Sequence, residues 1–219
     1  NLAGRAEDRE RSSQPDHVIF QNARFGRPHL NPLLDKEVGP GAIGSNGMAG
    51  NPRGFAERSG TNRNLTYLFQ SNLAVAYETP FIQGLSVQMT YSFDYSVSSQ
   101  KITRTPFTIY QLNEATNQYN ELKAGPTTIS LDERSDRFRN ATLQASLHFE
   151  KELGVHAINS LLLFEQSESY SNYLSAFRDG FISADIPELF AGGTTIWSNN
   201  GGSNETARRG YVGRMGYAF

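Results

Sequence analysis

Strict alternation between apolar and polar side chains is the feature that most constrains how this chain can fold. Over residues 85–98, every odd position is apolar or aromatic and every even position is polar. The apolar set is Leu85, Val87, Met89, Tyr91, Phe93, Tyr95 and Val97. Because successive side chains of a β-strand point to opposite faces, this segment predicts a strand with one apolar face and one polar face.

Several other segments repeat this period, although not all of them are equally regular. The least regular segment runs four apolar residues together from Leu161, and we interpret it as a strand because of its hairpin context. The predicted strand segments are 65–78, 142–150, 156–173 and 210–219, with a partial strand at 1–9. An all-β chain of about six long strands follows from this pattern.

The connections between these segments alternate strictly between short and long. Residues 79–84 and 152–155 form short connections, whereas about 10–63, 104–128 and 174–204 form long ones. Outer-membrane barrels combine short periplasmic turns with long extracellular loops, and a soluble sandwich has no reason to keep this alternation. We therefore predict an antiparallel transmembrane β-barrel segment with long extracellular loops and short periplasmic turns.

Strand pairing and strand faces follow from the same alternation. We expect residues 64–77 to pair antiparallel with 85–103, and 140–151 to pair with 156–173. Odd positions from Leu65 to Val97 are expected to face lipid, and even positions to face the lumen. The tyrosines and phenylalanines among the odd positions can supply the aromatic girdles of a barrel.

Composition narrows the classes of protein further. No run approaches the roughly 20 apolar residues of a transmembrane helix, and the apolar stretch 158–164 is too short. The chain has no cysteine and a net charge of −2, so neither thiolate chemistry nor nucleic-acid binding is indicated. It opens without the pattern of a signal peptide, so a barrel interpretation implies an N-terminal segment outside this sequence.

The long connections carry local signals of their own. Residues 16–25 and 183–190 are each predicted to form a short surface helix, with Ser183 as a cap for the second. Residues 110–122 predict a hairpin inside a loop. The Gly-rich stretch 39–50 lacks the features of a phosphate-binding loop, and we interpret it as a flexible or Ω-type loop.

No arrangement of residues predicts catalysis, a cofactor or a metal. Glu165 and Glu168 differ in parity, so on one strand they face opposite sides and cannot form a glycosidase pair. Asp132, Glu133 and Asp136 could help to bind calcium but lack the spacing of a known cation loop. The isolated histidines, of which His148 is expected on a polar strand face, are His17, His29, His148 and His156. We therefore expect a protein that is not an enzyme and has no cofactor or metal site.

The order and spacing of several short segments resemble a known family. The chain is similar to the middle of a SusC/RagA-type TonB-dependent outer-membrane transporter over about residues 64–219. The segments that carry the resemblance are 69–73, 77–85, 91–95, 161–168, 189–192 and 207–214. Residues 1–60 resemble it more loosely.

The resemblance implies more than the alternation does. It implies that residues 1–219 are part of the barrel domain, without the plug domain and the remaining strands, so Phe219 would be a cut within a strand. The implied function is energised uptake of oligosaccharides or peptides in the outer membrane, with a SusD-like surface lipoprotein as partner. The TonB complex would engage a missing N-terminal region. The family has no fixed substrate motif, so the substrate-binding residues stay unknown.

Two alternatives from other classes remain open at this stage. One is a secreted or surface β-rich adhesin or carbohydrate-binding module. The other is a barrel enzyme such as a lipase or protease, for which no catalytic set is visible. Apolar side chains on the exposed face of the sheet would favour the barrel over a soluble module.

Overall fold

A six-stranded antiparallel sheet dominates the computed structural model, which describes residues 1–27, 31–47 and 50–219. The spatial order of its strands is β1-β2-β3-β6-β7-β8, and a separate hairpin pairs β4 with β5. The strands are β1 Leu2–Ser12, β2 Gly60–Glu78, β3 Leu85–Arg104, β4 Phe107–Asn113, β5 Gln118–Ala124, β6 Ile129–Leu153, β7 His156–Phe181 and β8 Trp197–Ala218. The predicted all-β antiparallel fold is confirmed.

Two helices lie in the connection between β1 and β2. They are α1, Asp16–Phe25, and α2, Pro52–Glu57. The predicted helix at 16–25 is therefore confirmed, whereas α2 was not predicted. Within the described residues, neither helix has the length and apolar character needed to cross a membrane.

Both predicted hairpins are present with the expected pairing. Strand β2 pairs antiparallel with β3 from Gly60–Arg104 to Glu78–Ser86, and β6 pairs with β7 down to Leu153–His156. The partial strand predicted at 1–9 is β1, which pairs antiparallel with β2. The predicted inner hairpin at 110–122 is formed by β4 and β5.

One end of the sheet, here called the turn end, carries the short connections. The β6–β7 connection is only Gly154 and Val155, and the positive φ of 65° at Gly154 suits the first position of a two-residue hairpin loop. The β2–β3 connection is longer. Its Thr79 N–H and hydroxyl both donate to the Leu85 carbonyl, at 3.0 and 2.9 Å.

Several strands are much longer than a membrane crossing requires. Strands β6 and β7 have 25 and 26 residues, whereas a tilted strand needs about 9–11 residues to cross a bilayer. The strands therefore project far beyond one crossing, and the connections at the opposite end, here called the loop end, shorten accordingly. They span residues 13–59, 105–128 and 182–196 rather than the broader ranges expected.

A small apolar core forms at the loop end, where the first two long connections meet. Ile43 from the first connection packs against Phe107, Ile109 and Ala124 of the β4–β5 hairpin, and all four are buried. Phe55 of α2 meets Phe107 edge to face, with ring centroids 5.3 Å apart. We call this unit the loop core.

The described part of the Gly-rich stretch is packed and hydrogen-bonded rather than free in solution. The Tyr110 N–H donates to the Ile43 carbonyl at 2.9 Å, and the Ser45 N–H donates to the Tyr110 carbonyl at 2.7 Å. Asn51 caps α2 by accepting from the Arg53 and Gly54 N–H groups at 2.9 and 3.1 Å. Its side-chain amide donates back to the Gly44 carbonyl at 2.7 Å, so one buried side chain fixes both segments.

The prediction of a helix at 183–190 is wrong. The structure has only a short 3₁₀ turn, Leu189–Ala191, because Pro187 disfavours helical geometry at the preceding residue. Ser183 makes a local turn instead of a helix cap, accepting from the Asp185 N–H at 3.1 Å. Glu188 stays extended, with φ −118° and ψ 137°.

Candidate functional site

The strand register sorts the side chains of the six-stranded sheet into two faces. Val75, Met89, Ala145, Phe164 and Tyr211 lie directly opposite one another in a single row across β2, β3, β6, β7 and β8. Side chains that are opposite in a ladder share a face, so this row defines what we call the apolar face. The next row towards the turn end continues it with Tyr77, Val87, Leu147, Leu162 and Gly213.

The apolar face is open to the surroundings. Leu73 is 65% exposed, Met89 48% and Met215 75%, although all three would be buried in the core of a soluble protein. The prediction that Leu85–Phe93 odd positions share one face with Leu73, Val75 and Tyr77 is confirmed by the register. A contiguous exposed apolar surface marks contact with a membrane or a partner.

The apolar side chains of this face form a band, here called the apolar band, that runs obliquely to the rows of paired residues. In the row of Phe69 and Tyr95, the side chains on β6 and β8 are already Arg139 and Glu205. At the turn end the offset has the same sense, because Tyr217 on β8 lies in a row with Lys151 on β6. Strands that tilt through a flat apolar layer produce such an offset.

The opposite face, here called the polar face, is lined by hydroxyl and amide groups. Its representative row is Asn72, Ser92, Thr142, Ser167 and Arg208. These groups bond across strands, as in Asn72 Nδ2 to Ser92 Oγ at 3.2 Å and Thr142 Oγ1 to Ser167 Oγ at 3.2 Å. In the run of four apolar residues that starts at Leu161 on β7, the register places Leu161 and Leu163 on this polar face.

One concavity lies on the polar face in its loop-end half. It is a groove of about 460 Å³ across β3, β6, β7 and β8. The Arg134 guanidinium donates two hydrogen bonds of 2.7 Å each to the Asp136 carboxylate. Its Cζ atom lies 4.5 Å from the centroid of the Tyr173 ring. The residues that line the groove are Ser96, Ser98, Arg134, Asp136, Arg137, Phe138, Ser171, Asn172, Tyr173, Gly202, Ser203 and Asn204. No binding residue was predicted from the sequence, because strand parity shows only that Phe138 and Tyr173 share the polar face.

Ion pairs join neighbouring strands between the apolar band and the loop end. Arg63 donates to both carboxylate oxygens of Asp8, at 3.0 and 2.5 Å, and this hydrogen bonding lowers the pKa of Asp8. Lys101 bridges Glu133 at 3.1 Å and Glu188 at 2.8 Å. Burial lowers the pKa of Lys101, but the hydrogen bonds to the two carboxylates outweigh it and the pKa is raised. The third long connection is thereby tied to the strand wall.

The residues considered for chemistry at the sequence level are kept apart. Glu165 accepts from Gln144 on the polar face at 2.6 Å, whereas Glu168 lies in a row with Ala141 and Ala207 on the apolar face. Asp132 and Asp136 are on the polar face and Glu133 is on the other. Among the described residues, no group of acidic or histidine side chains is arranged to hold a metal ion.

The histidines are also separate from one another. His148 lies on the polar face, as predicted, with its Nε2 3.1 Å from Ser146 Oγ. His156 contacts the Tyr217 hydroxyl through Nδ1 at 2.6 Å. His17 is on α1, and His29 lies outside the described residues.

Comparison with known proteins gives a fold-level match. No protein-family model matches the chain, and no curated protein matches it. Among solved structures, it is similar to the RagAB peptide transporter, with a TM-score of 0.55 and 18% sequence identity. The same values hold for the RagAB peptide importer in its open-open and closed-closed states.

The match covers 73% of this chain but only 16% of the matched transporter chain. At this identity, the likeness shows the fold. The sheet therefore shares its fold with part of the RagAB peptide transporter, and the predicted SusC/RagA resemblance is supported at the level of fold alone.

Proposed function

We propose that this chain is part of the barrel wall of a SusC/RagA-type TonB-dependent transporter in the outer membrane. Its role is energised uptake of oligosaccharides or peptides together with a SusD-like surface lipoprotein. The fold likeness to a peptide transporter supports the general role. The substrate, the lipoprotein and the coupling to the TonB complex, through a region outside this sequence, are parts of the proposal.

The oblique, exposed apolar band is the observation that carries the proposal. A band on β2 from Tyr67 to Tyr77 matches the about 9–11 residues that a tilted strand places in a bilayer. Tyr67, Tyr95 and Tyr170 near its loop-end boundary, and Tyr77 and Tyr217 near the turn end, fit aromatic girdles. Contact with lipid explains why so many apolar side chains are exposed on this face, whereas contact with water does not.

The polar face fits the lining of a passage. Uptake needs no covalent chemistry, and the rows of hydroxyl and amide groups suit transient hydrogen bonds to a hydrated substrate. We infer a non-enzymatic protein with no cofactor and no nucleic-acid partner. In this orientation the turn end is periplasmic and the loop core is extracellular.

Spin labelling of adjacent positions tests the membrane orientation. This chain contains no cysteine, so Met89→Cys and Gln88→Cys, made after replacing any cysteine elsewhere in the gene product, give a matched pair of labels on opposite faces of β3. In the intact gene product in liposomes, we expect the label at 89 to collide with oxygen dissolved in lipid. The label at 88 should collide instead with a water-soluble nickel complex.

Equal accessibility of both labels to the nickel complex would contradict the proposal and favour a soluble adhesin or carbohydrate-binding module. Uptake is tested separately by deleting the gene and measuring import of labelled oligosaccharides and peptides by cells. Loss of import of either class, restored by the intact gene, is the expected result. Copurification of a lipoprotein encoded beside the gene tests the partner.

A further inference from the structure

The groove on the polar face is built from three consecutive rows of the sheet. One row is Leu68, Ser96, Phe138, Ser171 and Asn204, and the next is Thr66, Ser98, Asp136, Tyr173 and Gly202. Arg134 lies in the third row, opposite Gln100. The groove is thus part of the continuous wall, lies on rigid strands rather than in a loop, and is wide enough for a small ligand at about 460 Å³.

The charges in the groove are already compensated. Among its described lining residues, the charged side chains are Arg134, Asp136 and Arg137. Arg134 is held by both oxygens of Asp136, and Arg137 lies in a row with Val97 and Asn172 on the apolar face. No net charge is therefore directed at a ligand, which disfavours a strongly ionic substrate.

The hydrogen-bonding groups that remain are neutral. Ser96, Ser171 and Asn204 lie in one row, and within the described structure none of these three side chains is engaged in a hydrogen bond. Ser98, by contrast, is already bonded to Thr66 and Asn64 at 3.1 and 2.9 Å. The groove thus presents hydroxyl and amide groups that can both donate and accept.

Two aromatic rings provide the apolar part of the groove. Phe138 is 44% exposed on the polar face, and its ring lines the groove. The Tyr173 ring lies against Gly202, where a Cβ atom would come within 3.2 Å of the ring, so the glycine leaves room for it. Rings beside neutral polar groups match a pyranose, which has C–H faces and an equatorial rim of hydroxyls.

We propose that this groove binds pyranose units of a neutral oligosaccharide, with Phe138 as the stacking surface and Tyr173, whose ring face is covered by Arg134, as an apolar side wall. This inference rests on the proposed function and selects one of its two substrate classes. Arg134 positions the Tyr173 ring through the 4.5 Å contact, and Asp136 positions Arg134. A peptide would bring charged termini and side chains for which the groove offers no unpaired partner.

Calorimetric titration of the intact gene product in detergent tests the assignment. The probes are malto-, cello-, xylo- and manno-hexaose, with a neutral Gly-Ala hexapeptide and hexagalacturonate as comparisons. We expect at least one neutral hexaose to bind and the other two classes to bind more weakly. Tyr173→Ala and Phe138→Ala should each weaken binding up to about tenfold, and Tyr173→Phe should retain most of it.

Tyr170→Ala is the matched control, because Tyr170 is a half-buried tyrosine of the same strand that also lies beneath an arginine, Arg139, but on the apolar face. It should leave sugar binding unchanged. Heat-modifiable migration of every variant verifies folding.

Failure to bind all four neutral hexaoses, or equal losses for Tyr173→Ala and Tyr170→Ala, would overturn the assignment. So would tighter binding of the hexapeptide that depends on Tyr173. Import of peptides by cells would then leave the transporter proposal intact, whereas water-accessible labels at both 88 and 89 would overturn that proposal itself.

Discussion

On the proposed membrane orientation, single residues of β3 test which side of the sheet meets lipid. Met89 is on the apolar face in a row with Val75 and Ala145, and Ser92 is on the polar face in a row with Asn72 and Thr142. An arginine near the middle of a bilayer costs about 2–4 kcal/mol in a barrel strand. We therefore expect Met89→Arg in the intact protein to lower the free energy of unfolding by roughly this amount.

Ser92→Arg is the control for this prediction, because it adds the same side chain to the same strand on the polar face. It should cost much less. Urea titration of both variants in liposomes, followed by tryptophan fluorescence, gives the comparison. Similar losses at both positions would contradict the assignment of the faces.

The Asp8–Arg63 pair gives a pH-dependent link between β1 and β2. Hydrogen bonds from Arg63 lower the pKa of Asp8 below its ordinary value of 3.8. The ionised form of Asp8 is thus more stable in the folded state than in the unfolded state. The contribution to stability is fully present above pH 3.8 and is lost as the pH falls through the lower pKa of the folded state.

Asp8→Asn should remove this dependence. We expect the difference in Tm between the native protein and the variant to be constant near neutral pH and to shrink below pH 3.8. Because both side chains are exposed, salt should reduce the difference as well. A difference that grows on acidification would mean that the pair does not stabilise the fold.

At the scale of elements, the turn end depends on two glycines with different surroundings. Both have positive φ, 85° at Gly84 and 65° at Gly154. A Cβ atom at Gly84 would overlap the backbone carbonyl oxygen of Glu150, whereas at Gly154 it would meet nothing within 4 Å. Gly84 therefore packs its turn against β6, and Gly154 serves only the local turn.

This contrast predicts unequal effects of alanine. Gly154→Ala should cost about 1 kcal/mol, the conformational penalty of a positive φ. Gly84→Ala should cost clearly more, since the backbone must also move and the 2.8 Å hydrogen bond from the Glu150 N–H to the Gly84 carbonyl is disturbed. Urea unfolding of both variants measures the difference, and equal costs would show that the β2–β3 turn relaxes freely.

At the scale of the whole molecule, the sheet has two open edges. Within the described residues, β1 and β8 each pair on one side only. The smallest single-chain barrels have about eight strands, and the outer-membrane transporters to which the proposal assigns this chain have about 22. Unpaired backbone groups in lipid cost several kcal/mol each. The isolated 219-residue chain should therefore aggregate or form an open sheet rather than a channel.

Reconstitution of the purified 219-residue chain in liposomes examines this expectation. No sugar should enter vesicles that contain it, and its gel migration should not change with heating. A heat-modifiable monomer that admits sugars would show that these strands close by themselves.

The sequence predicted most of the strand architecture because the relevant signal is local. A period of two fixes which side chains share a face, so Val75 and Met89 could be placed together before their pairing was known. The same logic placed Glu165 and Glu168 on opposite faces. It failed at Ser183–Phe190, where the cap signal outweighed Pro187 in the prediction.

The loop core and the groove could not be predicted from local sequence patterns. Ile43 and Phe107 belong to different connections, and no local pattern indicates that they pack together. Phe138 and Tyr173 can be assigned to the polar face by parity, but their neighbourhood depends on the register between β6 and β7. The unpredicted helix α2 depends on Asn51, whose amide is also held by Gly44 of the preceding stretch.

The sequence by itself determined the strands, their faces and the alternation of short turns and long connections, because each is set by side chains within one or two strands. Tertiary structure decided how the long connections pack, where the ion pairs of Lys101 lie and which polar-face residues form the groove. These features join residues far apart in the chain, and their energies exist only once the strand register has brought those residues together.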